Sequence, residues 1–324
     1  MSREGVNRKV FVSTSTFSAF SDSPLRLLRE RGFEVVVNPL GRTLSEEETI
    51  GFLDGVPYLI AGTERLSAEV LRRCAELRVI SRCGVGLDNV DLEVARQLGI
   101  VVASTPGAPT EAVAELTVGL ILGLLRRIPE ADRALRAGRW QKAMGELLRG
   151  KALGIVGLGR IGRRVVELIG PFGVRVLAAD PCTDTSFAAQ HRVTVTNLPG
   201  LLREADIVSL HLASSGGVLI GERELGWMKP SAYLLNLARG GVVDEAALAR
   251  ALAEGRLAGA ALDVFAEEPY IGPLAGLENV ILTPHIGSYA RETRIEQEEA
   301  AALNLIEAVE RLEAGGAPRA GSGR

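Results

Sequence analysis

Three charged side chains in this 324-residue chain stand where chemistry can be done. His285 lies in Thr283-Pro284-His285-Ile286-Gly287, Glu268 in Asp263-Val264-Phe265-Ala266-Glu267-Glu268-Pro269, and Arg239 in Asn236-Leu237-Ala238-Arg239-Gly240-Gly241. Each follows an apolar, strand-like run, and in an open α/β sheet the carboxyl ends of strands face the ligand crevice. An arginine fork binds a carboxylate with two parallel hydrogen bonds and polarises the carbonyl beside it. An imidazole gives a proton to the oxygen as hydride arrives, or removes it in reverse. A carboxylate orients that imidazole and favours its protonated form. Beside a nicotinamide this set suffices for hydride transfer to a keto acid. Taken singly, each residue reads equally well as a surface group. The other two histidines are less well placed. His191 sits in a polar helix-to-strand stretch and reads as a surface residue, and His211 ends a strand, where it either faces a cofactor or fills a strand-end role.

A second motif supplies the partner for that chemistry. Gly157-Leu158-Gly159-Arg160-Ile161-Gly162 fits G-x-G-x-x-G, follows the apolar run Ala152–Val156 and opens a helix at Arg163–Ile169. The string alone is weak in a chain with 37 glycines. Its context makes it specific, because a second strand follows and ends on Asp180, 23 positions after Gly157, close to the roughly 20 expected of a ribose-binding acid. Gly157 permits the tight turn, Gly159 lets the backbone approach a pyrophosphate, and Gly162 lets helix and strand pack closely. The helix start attracts phosphates through free N–H groups and the positive end of its dipole. Asp180 accepts hydrogen bonds from ribose hydroxyls and repels a 2′-phosphate, which predicts NAD in preference to NADP.

These residues need a frame. Strands are predicted at Lys9–Ser13, Phe33–Val37, Tyr58–Ala61, Arg78–Ser81 and Ile100–Ala103, with helices at Pro24–Arg31, Ala68–Arg73 and Leu92–Gln97. Such alternation implies parallel pairing, since parallel strands need a crossover helix. Thr105-Pro106-Gly107 breaks the pattern, and one long helix is predicted from Thr110 to Ala137 as the connection to a second domain. A second series follows, with strands at Ala152–Val156, Val174–Ala179, Val193–Thr196, Asp206–His211, Ala232–Leu237, Gly259–Asp263 and Val280–Leu282. A final helix, Ala290 to Ala314, returns to the first domain, and the tail Gly315–Arg324 is read as disordered. The fold class is therefore α/β, with two doubly wound parallel-sheet domains: a flavodoxin-like substrate domain (1–107 and 290–324) and a Rossmann NAD-binding domain (108–289).

Composition excludes several alternatives. The 37 basic and 40 acidic residues nearly balance, leaving a net charge of −3 and no basic face for nucleic acid or an anionic membrane. No apolar run reaches the roughly 18 residues a spanning helix needs. Cys74, Cys83 and Cys182 form no CxxC pair, so neither a disulfide framework nor a structural metal site is expected. They read as reduced thiols of a cytoplasmic protein. Cys83 is read as a small packing residue in preference to a redox-sensitive thiol.

The ordered motifs together resemble the D-isomer-specific 2-hydroxyacid dehydrogenases, and within them the phosphoglycerate dehydrogenase branch. The resemblance runs from about Lys9 to Val309. It rests on Arg82-Cys83-Gly84-Val85-Gly86-Leu87-Asp88-Asn89-Val90-Asp91, on Thr105-Pro106-Gly107 with Val113-Ala114-Glu115, on Gly157–Gly162, on Asn236–Gly241 with Val243-Asp244-Glu245, on Asp263–Pro269 and on Thr283–Gly287. It implies that Arg239, Glu268 and His285 are the catalytic set and that the Val85 and Gly86 amides hold the substrate carboxylate with Arg239. It implies that Gly157, Gly159, Arg160, Ile161, Gly162, Asp180, Thr110, Ala238, Asp263, His285 and Gly287 surround NAD, Asp263 meeting the nicotinamide carboxamide. It also implies a homodimer formed mainly through the nucleotide domains, and a substrate held between domains that close to exclude water.

Three departures bear on the substrate. Pro109 stands where the family often has Asn, and Ala213-Ser214-Ser215 replaces a Pro-Leu-Thr-like run after His211. Phosphoglycerate dehydrogenases tend to carry phosphate-binding arginines after the strand equivalent to Tyr58–Ala61, where this chain reads Ala61-Gly62-Thr63-Glu64, leaving Arg82 and Arg65 as candidate anion ligands. The chain ends soon after Ala314, which reads as a short form without a regulatory C-terminal domain. The expected activity is interconversion of a small D-2-hydroxy acid, 3-phosphoglycerate among the candidates, and its 2-keto acid. The alternatives are a glyoxylate or hydroxypyruvate reductase and an NADH-sensing corepressor.

Overall fold

The computed structural model describes residues 7–212 and 216–315. The polar N-terminus before Asn7, the Ala213-Ser214-Ser215 departure and the tail beyond Gly315 lie outside the described residues. The chain divides into two compact units, Met1–Pro109 with Tyr289–Arg324, and Thr110–Ser288.

The first unit alternates β1 (Lys9–Val12), α1 (Ser23–Glu30), β2 (Glu34–Val37), α2 (Glu46–Phe52), β3 (Tyr58–Ala61), α3 (Ala68–Arg73), β4 (Val79–Arg82), α4 (Leu92–Gln97) and β5 (Val101–Ala103). All pairings are parallel and the sheet order is β2-β1-β3-β4-β5. The order reverses direction between β1 and β3, which makes their carboxyl ends the switch point of this sheet. One face packs on Leu53, Leu59, Leu71 and Ile80, the other on Val10, Leu28, Ile60 and Leu305. Burial on both faces explains why the strands read as continuous apolar runs and do not alternate. The helix starts are locally encoded. Ser45, Ser67 and Asp91 each accept a backbone N–H at the first turn of α2, α3 and α4, a cap worth ~1 kcal/mol.

The second unit contains α5 (Thr110–Leu125), α6 (Ile128–Arg136), β6 (Ala152–Val156), α7 (Arg160–Ile169), β7 (Arg175–Ala179), α8 (Thr185–Gln190), β8 (Thr194–Val195), α9 (Leu198–Glu204), β9 (Ile207–Leu210), α10 (Glu222–Leu225), β10 (Tyr233–Asn236), α11 (Glu245–Ala253), β11 (Gly259–Leu262) and β12 (Val280–Leu282). Its seven parallel strands run β12-β11-β10-β9-β6-β7-β8, with the reversal between β6 and β9. The single long helix expected over Thr110–Ala137 is two helices. Arg127 takes a left-handed conformation at φ 50°, and Pro129 sits in the first turn of α6. Proline has no N–H to continue the ladder and disfavours helical geometry in the residue before it.

The last helix, α12 (Arg291–Glu313), belongs to the first unit. It packs on α1 and β4, where the Ser81 hydroxyl donates to the Ala301 carbonyl (2.7 Å) and the Asn304 amide donates to the Ser104 carbonyl (3.0 Å). A buried ion pair, Arg294 to Glu298 at 2.9 Å, fastens its first turns to the loop after β1: Glu298 accepts the Ser18 N–H and Arg294 donates to the Thr16 hydroxyl. Among the described residues no helix is long and apolar enough to cross a membrane.

Candidate active site

The glycine turn joins β6 to α7. A Cβ at Gly157 (φ 94°) would stand 2.8 Å from the His211 carbonyl, and one at Gly162 would overlap the Gly157 carbonyl, so the turn, β9 and α7 close on one another only with glycine at both places. Gly159 differs, because nothing lies within 4 Å of its Cβ position. That space lies over the start of α7, which has no side-chain cap, so the leading amides of the helix await an anion. Asp180 is locked beside the turn: its Oδ2 accepts the Leu158 N–H and its Oδ1 the Cys182 N–H, both at 2.7 Å. Cradle, helix start and ribose-side acid together fit a dinucleotide without a 2′-phosphate.

His211 does not join the acid–base chemistry. It is buried, shares a 2.8 Å hydrogen bond with the Ser209 hydroxyl, and burial pushes its imidazole down to about 3, so it is neutral. His191 ends α8 and stacks on Phe187 at 4.3 Å, away from the strand ends.

The loops after β10, β11 and β12 carry the other groups. The Asn236 side chain ties its own turn, donating to the Arg239 carbonyl (3.0 Å) and accepting the Ala238 N–H (3.1 Å). Gly240 presses so closely on the 265–266 backbone that a Cβ would overlap the Phe265 carbonyl. Glu245, at the start of α11, accepts the Ala266 N–H at 2.7 Å. The Arg239 turn and the Glu268 loop are thereby one packed block. Within it Glu268 Oε1 accepts the Phe265 N–H at 3.1 Å.

His285 meets Glu268 directly, with Nδ1 2.9 Å from Oε2. It stands at φ 53°, a region that residues with side chains rarely enter unless the surroundings impose it. Asp263 imposes it. This carboxylate is only 2% exposed, and it accepts the Thr283 hydroxyl (2.6 Å) and the Ile286 N–H (2.8 Å) on Oδ1 and the Gly287 N–H (2.8 Å) on Oδ2. The resemblance places Asp263 at the nicotinamide carboxamide; in the structure both of its oxygens take hydrogen bonds from the histidine loop. The signal for that role was present, since an acid at the end of a buried strand needs internal partners.

The other expected residues divide by unit. Thr110 starts α5 and Ala238 is buried in the Arg239 turn, both in the second unit. Arg160 and Ile161 form the first turn of α7. Arg82, Val85 and Gly86 belong to the first unit, where the Arg82 guanidinium lies under Gly84 and donates to the Cys83 carbonyl. Arg65 is exposed and pairs with Glu46. Cys83 is buried, and burial pushes its thiol up to about 11, which suits a packing residue and removes the thiolate a redox role needs.

Known proteins share this architecture. The family model for the NAD binding domain of D-isomer specific 2-hydroxyacid dehydrogenases matches residues 118–287. The glyoxylate reductase of Aeropyrum pernix is 44% identical over 257 residues, which span 75% of this chain and 77% of that protein. The D-3-phosphoglycerate dehydrogenase of Archaeoglobus fulgidus is 38% identical over 282 residues, spanning 85% of this chain but 53% of that protein. The crystal structure of the TT0316 protein from Thermus thermophilus superposes with a TM-score of 0.86 at 40% identity, covering 96% of this chain and 99% of that one. The chain belongs to the D-isomer specific 2-hydroxyacid dehydrogenases, NAD-dependent oxidoreductases that interconvert small 2-hydroxy acids and their 2-keto acids.

Proposed function

We propose that this enzyme reduces a small 2-keto acid of glyoxylate or hydroxypyruvate size to its D-2-hydroxy acid, with Arg239, Glu268 and His285 as the catalytic set. The His285–Glu268 contact carries the reading. With Nδ1 engaged by the carboxylate, Nε2 is the nitrogen left to face a carbonyl oxygen. Arg239 binds the substrate carboxylate and polarises the carbonyl. The Gly157–Gly162 turn, Arg160, Ile161, Asp180, Thr110, Ala238, Asp263 and Gly287 form the nucleotide site. NADH, when held there, would supply the hydride. His285 delivers its proton to the oxygen and is reprotonated from solvent.

The glyoxylate reductase of Aeropyrum pernix supports the small substrate, because its identity is higher and this chain spans more of it than of the phosphoglycerate dehydrogenase. The homodimer belongs to the same proposal. Leu135 in α6 and Trp140, Met144 and Leu147 in the segment between α6 and β6 are exposed apolar side chains, more than an isolated soluble unit ordinarily leaves uncovered.

The test is NADH oxidation across a panel of 2-keto acids with wild type and His285→Ala. Wild type turns over glyoxylate or hydroxypyruvate. The variant loses roughly 10²–10⁴ in kcat while NADH still binds, as read by quenching of protein fluorescence. Turnover of His285→Ala at the wild-type rate would overturn the mechanism. No turnover on any acid, with tight NADH binding, would point to the corepressor alternative.

A further inference from the structure

The loop after β11 leaves the core within one residue. Val264 and Phe265 are buried, whereas Ala266, Glu267, Glu268 and Pro269 are exposed. An exposed loop has little of its own to hold it in one conformation, yet this one keeps the Glu268 carboxylate 2.9 Å from the His285 imidazole. What holds it lies at its root. The Phe265 and Tyr270 rings stack at 4.3 Å and close the loop at its two ends. The Phe265 N–H donates to Glu268 Oε1 at 3.1 Å, so the carboxylate folds back on the place where the loop begins. The next amide, that of Ala266, donates to Glu245 Oε1 at 2.7 Å. Consecutive amides are each taken by a carboxylate, one from inside the loop and one from α11.

Glu245 comes from a fixed element. It is the first residue of α11, whose cap Asp244 accepts the Ala247 N–H at 2.9 Å, and Ala247 and Leu248 behind it are fully buried. The Phe265 carbonyl and the Ala266 N–H belong to one planar peptide group. Its carbonyl end is seated against Gly240, where a Cβ would overlap it, and its N–H end is seated on Glu245. With both ends held, the direction in which the chain sets out towards Glu268 is held too.

We propose that Glu245 is a positioning residue: through its hydrogen bond to the Ala266 N–H it keeps Glu268 in register with His285. The inference rests on the reading of Glu268 and His285 as an acid–base pair and adds to it a residue that acts through Glu268. The oxygen that accepts the N–H is what matters, and the charge of Glu245 is incidental to it. Misplacing a reacting group by about 1 Å costs up to about a hundredfold in rate, and loss of one loop anchor takes a fraction of that.

The experiment follows NADH oxidation with glyoxylate and with hydroxypyruvate in wild type, Glu245→Ala, Glu245→Asp, Glu245→Gln, Glu268→Gln and the double variant Glu245→Ala/Glu268→Gln, with a melting curve for each. Glu245→Ala lowers kcat about tenfold and leaves both KM values within about twofold. Glu245→Asp keeps the charge, falls short of the Ala266 N–H and behaves like Glu245→Ala. Glu245→Gln loses the charge, keeps an accepting oxygen and recovers most of the kcat. In the Glu268→Gln background Glu245→Ala costs nothing further, as befits residues that act as a unit. A second readout needs no turnover. The chain has three histidines, so ¹⁵N-histidine labelling resolves each ring by nuclear magnetic resonance. Glu245→Ala moves the His285 ring-nitrogen signals, leaves those of His191 and His211 in place, and Glu245→Gln moves none. If Glu245→Ala does not fold, the Glu245→Asp and Glu245→Gln pair decides. Wild-type kcat with unmoved His285 signals in folded Glu245→Ala overturns the proposal. So does a raised keto-acid KM at constant kcat, which puts the effect on the Arg239 turn, or an equal loss in Glu245→Gln and Glu245→Ala, which leaves only an acid at a helix start. Wild-type turnover by Glu268→Gln, or no turnover of either acid by wild type, overturns the catalytic reading instead, and the nitrogen signals then decide on Glu245 by themselves.

Discussion

His285 and His211 are one residue type put to opposite uses, and the difference lies in what surrounds each ring. His285 is open to solvent, held at a left-handed φ by the Asp263 network and paired with Glu268. His211 is sealed inside the second unit with a hydroxyl for company. Burial holds its folded pKa at about 3, against about 6.5 in an unfolded chain. Between those values the unfolded chain takes up a proton that the folded one refuses, so folding stability falls as pH drops from about 6.5 towards 3. The contribution has a slope of up to ~1.4 kcal/mol per pH unit. Urea unfolding of wild type and His211→Gln at several pH values checks this, and the variant should lack that part of the slope.

At the scale of elements, the strand–turn–helix around Gly157–Gly162 separates two functions of glycine. Gly159→Ala adds a methyl into open space, so its melting temperature should stay within a degree or two of wild type while NADH affinity drops several-fold, read by calorimetric titration. Gly162→Ala pushes a methyl into the Gly157 carbonyl and should cost stability, by about 1–3 kcal/mol for an overpacked contact. A reversed order of the two effects would contradict the geometry. Helix α12 depends on the Arg294–Glu298 pair, with both side chains buried. Glu298→Ala strands a buried guanidinium and frees the Ser18 N–H, and should destabilise the first unit by about 3–5 kcal/mol, measured by denaturant unfolding.

At the scale of the whole molecule, the apolar run Leu135, Trp140, Met144 and Leu147 sets the expected assembly. Trp140 is 83% exposed, an unusual place for an indole in a chain that stays alone. Sedimentation should show a dimer for wild type, and Trp140→Glu should shift it towards monomer. A wild-type monomer at micromolar concentration would refute the proposed dimer.

Much of this protein was legible in the chain itself. Parallel α/β alternation, the dinucleotide turn with its acid, and the three strand-end residues Arg239, Glu268 and His285 are local patterns, and local backbone and burial rules write them directly into neighbouring residues. Even so, the helix break at Arg127 was missed, because the apolar run around it has helical spacing on both sides and only a left-handed residue with Pro129 interrupts it. Tertiary structure alone decided what depends on partners distant in sequence. It bound Asp263 to the histidine loop, sealed His211, and brought Glu64 onto Ser13 from 51 positions away. Charge and pKa follow from such long-range neighbours, and no spacing rule along one strand or helix contains them.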